Sequence, residues 1–114
     1  MSVKLTSRQV GDVTVIDGAG RITLGEGASQ FRDTVRDLVA RGQKKILLNL
    51  AEVSYIDSSG IGELVSGFTT VTNAGGQLKL VGLSKRIRDL LQITKLYTVF
   101  DVYDDEAAAI RSFA

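Results

Sequence analysis

Residues Asn49 to Gly62 read Asn-Leu-Ala-Glu-Val-Ser-Tyr-Ile-Asp-Ser-Ser-Gly-Ile-Gly, and they join two elements of different type. The apolar run that leads into this stretch predicts a buried central strand over Lys45 to Leu50. Beyond it, apolar residues recur at helical spacing and predict a helix from Ser59 to about Asn73. One carboxylate and two hydroxyls therefore meet where a helix begins, and free backbone N–H groups there favour a cap or an anion.

The residues alone leave several roles open at this helix start. Ser58 can be a helix cap, a nucleophile or a phosphate acceptor, whereas Ser59 is better explained as an N-cap or first-turn residue. Asp57 can cap the helix, orient the neighbouring hydroxyl or contact a partner. Gly60 and Gly62 are poor helix formers, so they either let a partner approach the backbone or relieve crowding against the loop.

Composition narrows the class of protein. The chain has 114 residues, which predicts a single domain. It has no cysteine and no histidine, so it lacks thiolate chemistry and the commonest general base and metal ligand. Its 14 basic and 13 acidic residues balance, which gives no electrostatic reason to expect direct nucleic-acid binding. We expect no cofactor, and the acids from Asp101 to Glu106 match no calcium loop, so we expect no metal site.

Nothing in the sequence predicts a membrane segment. The polar and basic residues that follow Met1 do not form a signal peptide. No apolar stretch approaches the roughly 20 residues that a membrane span needs, so we expect no membrane insertion. These features predict a soluble, cytoplasmic protein.

Strands and helices alternate after an opening hairpin. Two strands, Val3 to Gln9 and Asp12 to Asp17, are joined by a turn at Gly11-Asp12. We expect the glycines at 18 and 20 to break the second strand and Arg21 to Leu24 to form a short extended piece. The later elements are expected in the order helix 25–41, strand 45–50, helix 59–73, strand 77–81, helix 84–94, strand 99–103 and helix 104–113. This order predicts an α/β fold with a mixed sheet of four to five strands and about four helices.

The chain resembles the STAS domain family, and within it the small single-domain anti-sigma factor antagonists of bacteria. Leu47 to Gly62 is similar to the family's strand, loop and Asp-Ser-Ser/Thr-Gly-hydrophobic-Gly signature. Gly75 to Ser84 is similar to the turn and strand that follow, and Val81 to Leu96 to the third helix and the connection after it. Length and element order also match, which implies one STAS domain over residues 1–114.

The resemblance implies a regulatory function. Unphosphorylated members bind an anti-sigma factor that is also a serine kinase and so free a sigma factor. The kinase phosphorylates the serine after the motif Asp, here Ser58; the phosphorylated form releases its partner, and a serine phosphatase resets the protein. An alternative is a STAS scaffold subunit of a larger stress-signalling or lipid-transport complex.

We expect the partner to bind around this serine. The predicted partner-binding residues lie in the turn after the second strand and at the helix start, and they are Thr23, Gly25, Glu26, Asp57, Ser58, Ser59, Gly60 and Gly62. Thr23 stands where the family usually has Asp. Lys85, Arg86 and Arg88 start a helix after a different strand and are expected to contribute only at the rim of the surface. An enzyme is not expected, because Ser58 has no histidine or cysteine to assist it and its segment is not the Gly-x-Ser-x-Gly elbow of hydrolases.

Overall fold

A computed structural model describes residues 3–113. Met1, Ser2 and Ala114 of the predicted 1–114 domain lie outside the described residues. The elements follow in the order β1 (Val3–Val10), β2 (Val13–Ile22), α1 (Glu26–Ala40), β3 (Lys45–Ile56), α2 (Ser58–Asn73), β4 (Gln77–Val81), α3 (Lys85–Ile93), a short 3₁₀ helix (Leu96–Thr98), β5 (Asp101–Tyr103) and α4 (Glu106–Ser112). The predicted α/β fold with an opening hairpin is confirmed.

The five strands form one mixed sheet in the order β1-β2-β3-β4-β5. β1 and β2 pair antiparallel through the predicted turn at Gly11-Asp12, and the other neighbours pair parallel. Because β2 and β3 are parallel neighbours, the loops that follow them emerge at the same edge of the sheet. This topology brings the turn at residue 23 to the start of α2.

Helices cover the sheet unequally. α1, α2 and α3 pack on one face through Phe31, Leu64 and Ile87, which are fully buried in the larger apolar cluster. The seven-residue α4 covers part of the other face through Ala109, and Phe113, the residue after the helix, packs beside it. The first half of the central strand β3, at Ile46, Leu47 and Leu48, is therefore buried on both sides, which explains its apolar run. Within residues 3–113, no helix combines the length and the apolar character that a membrane crossing requires.

Two sequence predictions about the central strands are wrong. β2 does not break at its glycines but runs on to Ile22, and β3 does not end at Leu50 but continues to Ile56. β2 and β3 stay paired where the alternation of apolar residues fails, because their register shifts there. One shift lies between Asp17 and Ala19, and the other between Gly20 and Arg21. A Cβ at position 18 would lie 3.1 Å from a Val53 methyl, so the glycine there fits a close contact between strands.

The predicted helices are confirmed to within about two residues, and side-chain caps set their starts. Ser84 accepts a hydrogen bond from the backbone N–H of Ile87 at 3.3 Å, and Asp105 accepts one from Ala108 at 3.2 Å. α2 begins at Ser58, one residue earlier than predicted, because Asp57 caps it.

Candidate functional site

Asp57 holds the corner between β3 and α2. Its backbone is extended, with φ −90° and ψ −175°, as an N-cap residue requires. One carboxylate oxygen accepts a hydrogen bond from the Gly60 N–H at 2.8 Å, and the other accepts one from the Leu24 N–H at 2.9 Å. The Asp57 N–H in turn donates to the Ile22 carbonyl at 3.3 Å. This residue therefore fastens the loop after β2 to the first turn of α2.

These hydrogen bonds also favour the ionised form of the Asp57 carboxyl. Donation from the Leu24 amide, and then from the Gly60 amide, lowers the pKa of the Asp57 carboxyl below its usual value. The carboxylate is therefore ionised at neutral pH. Of the roles left open for Asp57, the structure confirms that of helix cap.

The two serines occupy different environments in the first turn of α2. Ser58 is the first helical residue and is exposed, whereas Ser59 is half-buried. Among the described residues, the side-chain hydrogen bonds at this helix start belong to Asp57 and do not involve the Ser58 hydroxyl. The Ser58 hydroxyl thus lies at the surface beside a carboxylate held in place from two sides.

The two glycines of the signature are explained by opposite surroundings. Gly60 is buried, and a Cβ there would lie 2.1 Å from the Ile22 carbonyl oxygen and 2.7 Å from an Ile56 methyl. Crowding against the loop therefore accounts for Gly60. Gly62 is exposed, and a Cβ there would have no neighbour within 4 Å. Gly62 therefore faces outward, and crowding does not account for it.

The turn after β2 lies against this corner. Thr23 is half-buried and its carbonyl accepts a hydrogen bond from Ala28 at 2.9 Å, while Gly25 and Glu26 are exposed. Gly25 has a φ of 95°, a conformation that favours glycine. The structure thus brings the predicted partner-binding residues of both loops to one edge of the sheet, with Gly60 beneath the surface.

Sequence reasoning missed the contribution of α3 to this site. A groove of about 360 Å³ runs beside Ser58, between the end of β3 and α3. Tyr55 and Ser58 line one side, and Arg86, Asp89 and Ile93 line the other. Arg86 was expected only at the rim, but it lines the same groove as the serine. Only the three-dimensional packing shows this, because 28 residues separate the two in the sequence.

Large apolar side chains are exposed around Ser58. Leu24 is 78% exposed, Ile93 79% and Tyr55 38%. Leu24 lies in the loop bonded to Asp57, and the other two line the groove. Apolar side chains gathered on one exposed surface are typical of protein interaction sites. Within residues 3–113, no cluster of three or more acidic side chains could hold a metal ion.

Comparison with known proteins identifies the family. The family model for the STAS domain matches residues 4–109, which is nearly the whole chain. The chain belongs to the STAS domain family. The anti-sigma-B factor antagonist of Bacillus subtilis is 32% identical over 102 residues, which cover 90% of this chain and 92% of that protein. The resemblance to single-domain anti-sigma factor antagonists is thereby confirmed.

Solved structures show the same STAS fold. The crystal structure of TM1081 from Thermotoga maritima matches with a TM-score of 0.89 at 26% identity, covering 96% of this chain and 93% of that one. The Bacillus cell fate determinant SpoIIAA in its phosphorylated form matches with a TM-score of 0.73 at 22% identity, covering 95% and 98%. At 22% identity, the similarity to SpoIIAA shows a shared fold.

Proposed function

We propose that this STAS protein is an anti-sigma factor antagonist controlled by phosphorylation of Ser58. The unphosphorylated form binds an anti-sigma factor with serine-kinase activity and so frees a sigma factor. The kinase then modifies Ser58 and the complex dissociates, and a serine phosphatase restores the binding form. The name of the Bacillus subtilis relative, an anti-sigma-B factor antagonist, supports the general role.

The observation that carries the proposal is the position of Ser58. It is exposed at the first turn of α2, while the adjacent Asp57 is fastened to two backbone N–H groups. A kinase can reach this hydroxyl without unfolding the corner. SpoIIAA, which shares the fold, has been solved in a phosphorylated form, so the fold can carry a phosphate.

Electrostatics explains why a phosphate at Ser58 would end binding. A phosphoserine adds about −1.5 to −2 charges at neutral pH. It would stand beside the ionised Asp57 and among the exposed side chains of Leu24 and Tyr55. A partner docked on this surface would have to desolvate or face two neighbouring anions. Like-charge contact at an interface costs several kcal/mol, and each ~1.4 kcal/mol lowers an affinity tenfold.

Phosphate mapping tests the acceptor directly. We expect incubation with ATP and the anti-sigma factor kinase of the same organism to place one phosphate on Ser58, as located by mass spectrometry. Ser59 is the internal control, because it lies one residue away and is less accessible. Phosphate on Ser59 or on a threonine of α2, with Ser58 unmodified, would show that the assignment is wrong.

Two substitutions test the switch. Ser58→Asp should weaken binding to the anti-sigma factor by at least about tenfold, because it adds a negative charge on the docking surface. Ser58→Ala should bind like the unmodified protein and resist dissociation by ATP. Both should melt close to the wild type, since for Ser58→Asp the favourable position of an acid in the first turn of a helix offsets its repulsion from Asp57. Equal affinity of wild type and Ser58→Asp in calorimetry would refute the electrostatic mechanism.

A further inference from the structure

The start of α2 offers little to a phosphate on Ser58. A helix N-terminus normally receives an anion with its free backbone N–H groups. Here the Asp57 carboxylate already accepts from the Gly60 N–H at 2.8 Å and is itself an anion. A phosphate on Ser58 would be repelled by Asp57 and would compete with it for the same donors. A cation on another element would therefore stabilise the phosphate where the start of α2 does so only weakly.

The groove beside Ser58 supplies one such group. Arg86 lies on the opposite wall, in the first turn of α3, and its side chain is exposed. Its neighbours in the helix are already engaged: Lys85 pairs with Asp89 at 3.0 Å, and Arg88 pairs with Asp104 at 2.8 Å. Among the described residues, Arg86 belongs to none of the ion pairs, so its guanidinium can turn toward Ser58 without breaking an existing one.

The other charges along the groove favour the same pairing. Asp89 also lines it, but Lys85 partly neutralises this carboxylate. Asp57 lies on the same side of the groove as Ser58, and its two carboxylate oxygens already accept hydrogen bonds from two backbone N–H groups. A guanidinium forms paired, charge-assisted hydrogen bonds with a phosphate, and a phosphate with nearly two charges attracts it more strongly than a single carboxylate does.

We propose that Arg86 receives the phosphate of phosphorylated Ser58 across this groove and so links α2 to α3. The inference rests on the proposed function only in taking Ser58 as the phosphorylated residue. The unmodified Ser58 hydroxyl carries no charge to attract the guanidinium, so the link exists only in the phosphorylated form. It bridges the groove next to Tyr55 and Ile93 and thereby changes the surface that a partner meets.

The phosphate itself is the probe for the test. The full chain is produced with phosphoserine inserted at position 58 during translation, and the second ionisation of the phosphate, with a pKa near 6 in the absence of a partner, is followed by phosphorus NMR. An adjacent cation lowers this pKa. We expect Arg86→Gln to raise it by about half a unit relative to the phosphorylated wild type, as suits a partly exposed ion pair. Arg86→Lys should fall between the two.

Two matched variants serve as controls. Arg88→Gln removes the same charge from the same helix, but Arg88 pairs with Asp104 and lines a separate cavity, so the phosphate pKa should not change. Arg21→Gln tests the exposed arginine that neighbours Tyr55 across β2 and β3. If Arg86→Gln leaves the phosphate pKa unchanged, or if Arg21→Gln shifts it instead, the proposal is wrong.

This experiment is independent of the kinase. Because phosphoserine is inserted without any kinase, failure of the pairing would leave the proposed switch intact. Conversely, a kinase that modifies another residue would contradict the proposed function and leave the measured pairing unaffected. A second readout is the Arg86 Nε–H resonance, which should shift between the unmodified and the phosphorylated protein and stay in place for Arg88.

Discussion

At the scale of single residues, Asp57 combines two structural tasks that the sequence shows only in part. A Ser/Asp cluster before an apolar periodic run predicts a helix cap, and the structure confirms the cap. The second bond, to Leu24, joins residues 33 positions apart in the chain. No local pattern encodes such a contact, because it depends on β2 and β3 being parallel neighbours.

The two glycines of the signature give a matched pair of predictions. Gly60→Ala should destabilise the protein by about 1–3 kcal/mol or more, because the new methyl would overlap the Ile22 carbonyl. Gly62→Ala should be neutral or stabilising by up to about 1 kcal/mol, because alanine favours the helix and the site is open. Urea unfolding of both variants measures the difference. Similar midpoints for the two would contradict this account of the glycines.

At the scale of elements, periodicity located the helices well and the strands less well. α1, α2 and α3 each show an apolar stripe that stays regular from end to end, so their predicted bounds are nearly right. β2 and β3 lose their alternation at the register shifts near Gly18 and Gly20, and the sequence gives no sign that pairing continues beyond them. The prediction failed there because a bulge moves side chains to the other face of a strand without ending it.

The Asp57 carboxylate joins the β2–α1 loop to α2, and its hydrogen bonds predict how the stability of the fold depends on pH. The folded protein lowers the pKa of Asp57, so the carboxylate stabilises the native state above its unfolded pKa of about 3.8. This contribution is lost as the pH falls through the lower, folded value. Asp57→Asn offers a single acceptor oxygen for two N–H donors. The variant should therefore melt below the wild type at pH 7, and the gap should narrow below about pH 4.

Thermal melts between pH 7 and pH 3 test whether the stability difference between wild type and Asp57→Asn narrows as the pH falls. Asp33→Asn is the control, because it removes an exposed carboxylate from the middle of α1, away from this loop. If the difference in melting temperature between wild type and Asp57→Asn stays constant from pH 7 to pH 3, the charge of Asp57 does not stabilise the fold.

At the scale of the whole molecule, the sheet order gathers the candidate site at one edge. The opening hairpin places β2 beside β3, so the turn at Thr23 to Glu26 and the start of α2 meet. α3 then adds the wall that carries Arg86 and Ile93. The predicted order of strands and helices indicated the first two parts of this surface. It could not predict the third, because the packing of α3 against the end of β3 is a tertiary contact without a sequence motif.

This arrangement predicts where a bulky charge would block a partner. Gly62 lies one helical turn after Ser58 on α2, is exposed, and has open space around it. Gly62→Glu should therefore leave the fold intact and weaken binding of the anti-sigma factor by at least about tenfold. Asn73→Glu adds the same charge to the exposed far end of the helix, about 16 Å from Gly62 along the axis, and should bind normally. Arg88→Gln should change the affinity only slightly, because rim charges mainly affect association rates. If Gly62→Glu melts like the wild type and binds as tightly in calorimetry, the partner docks elsewhere on the molecule.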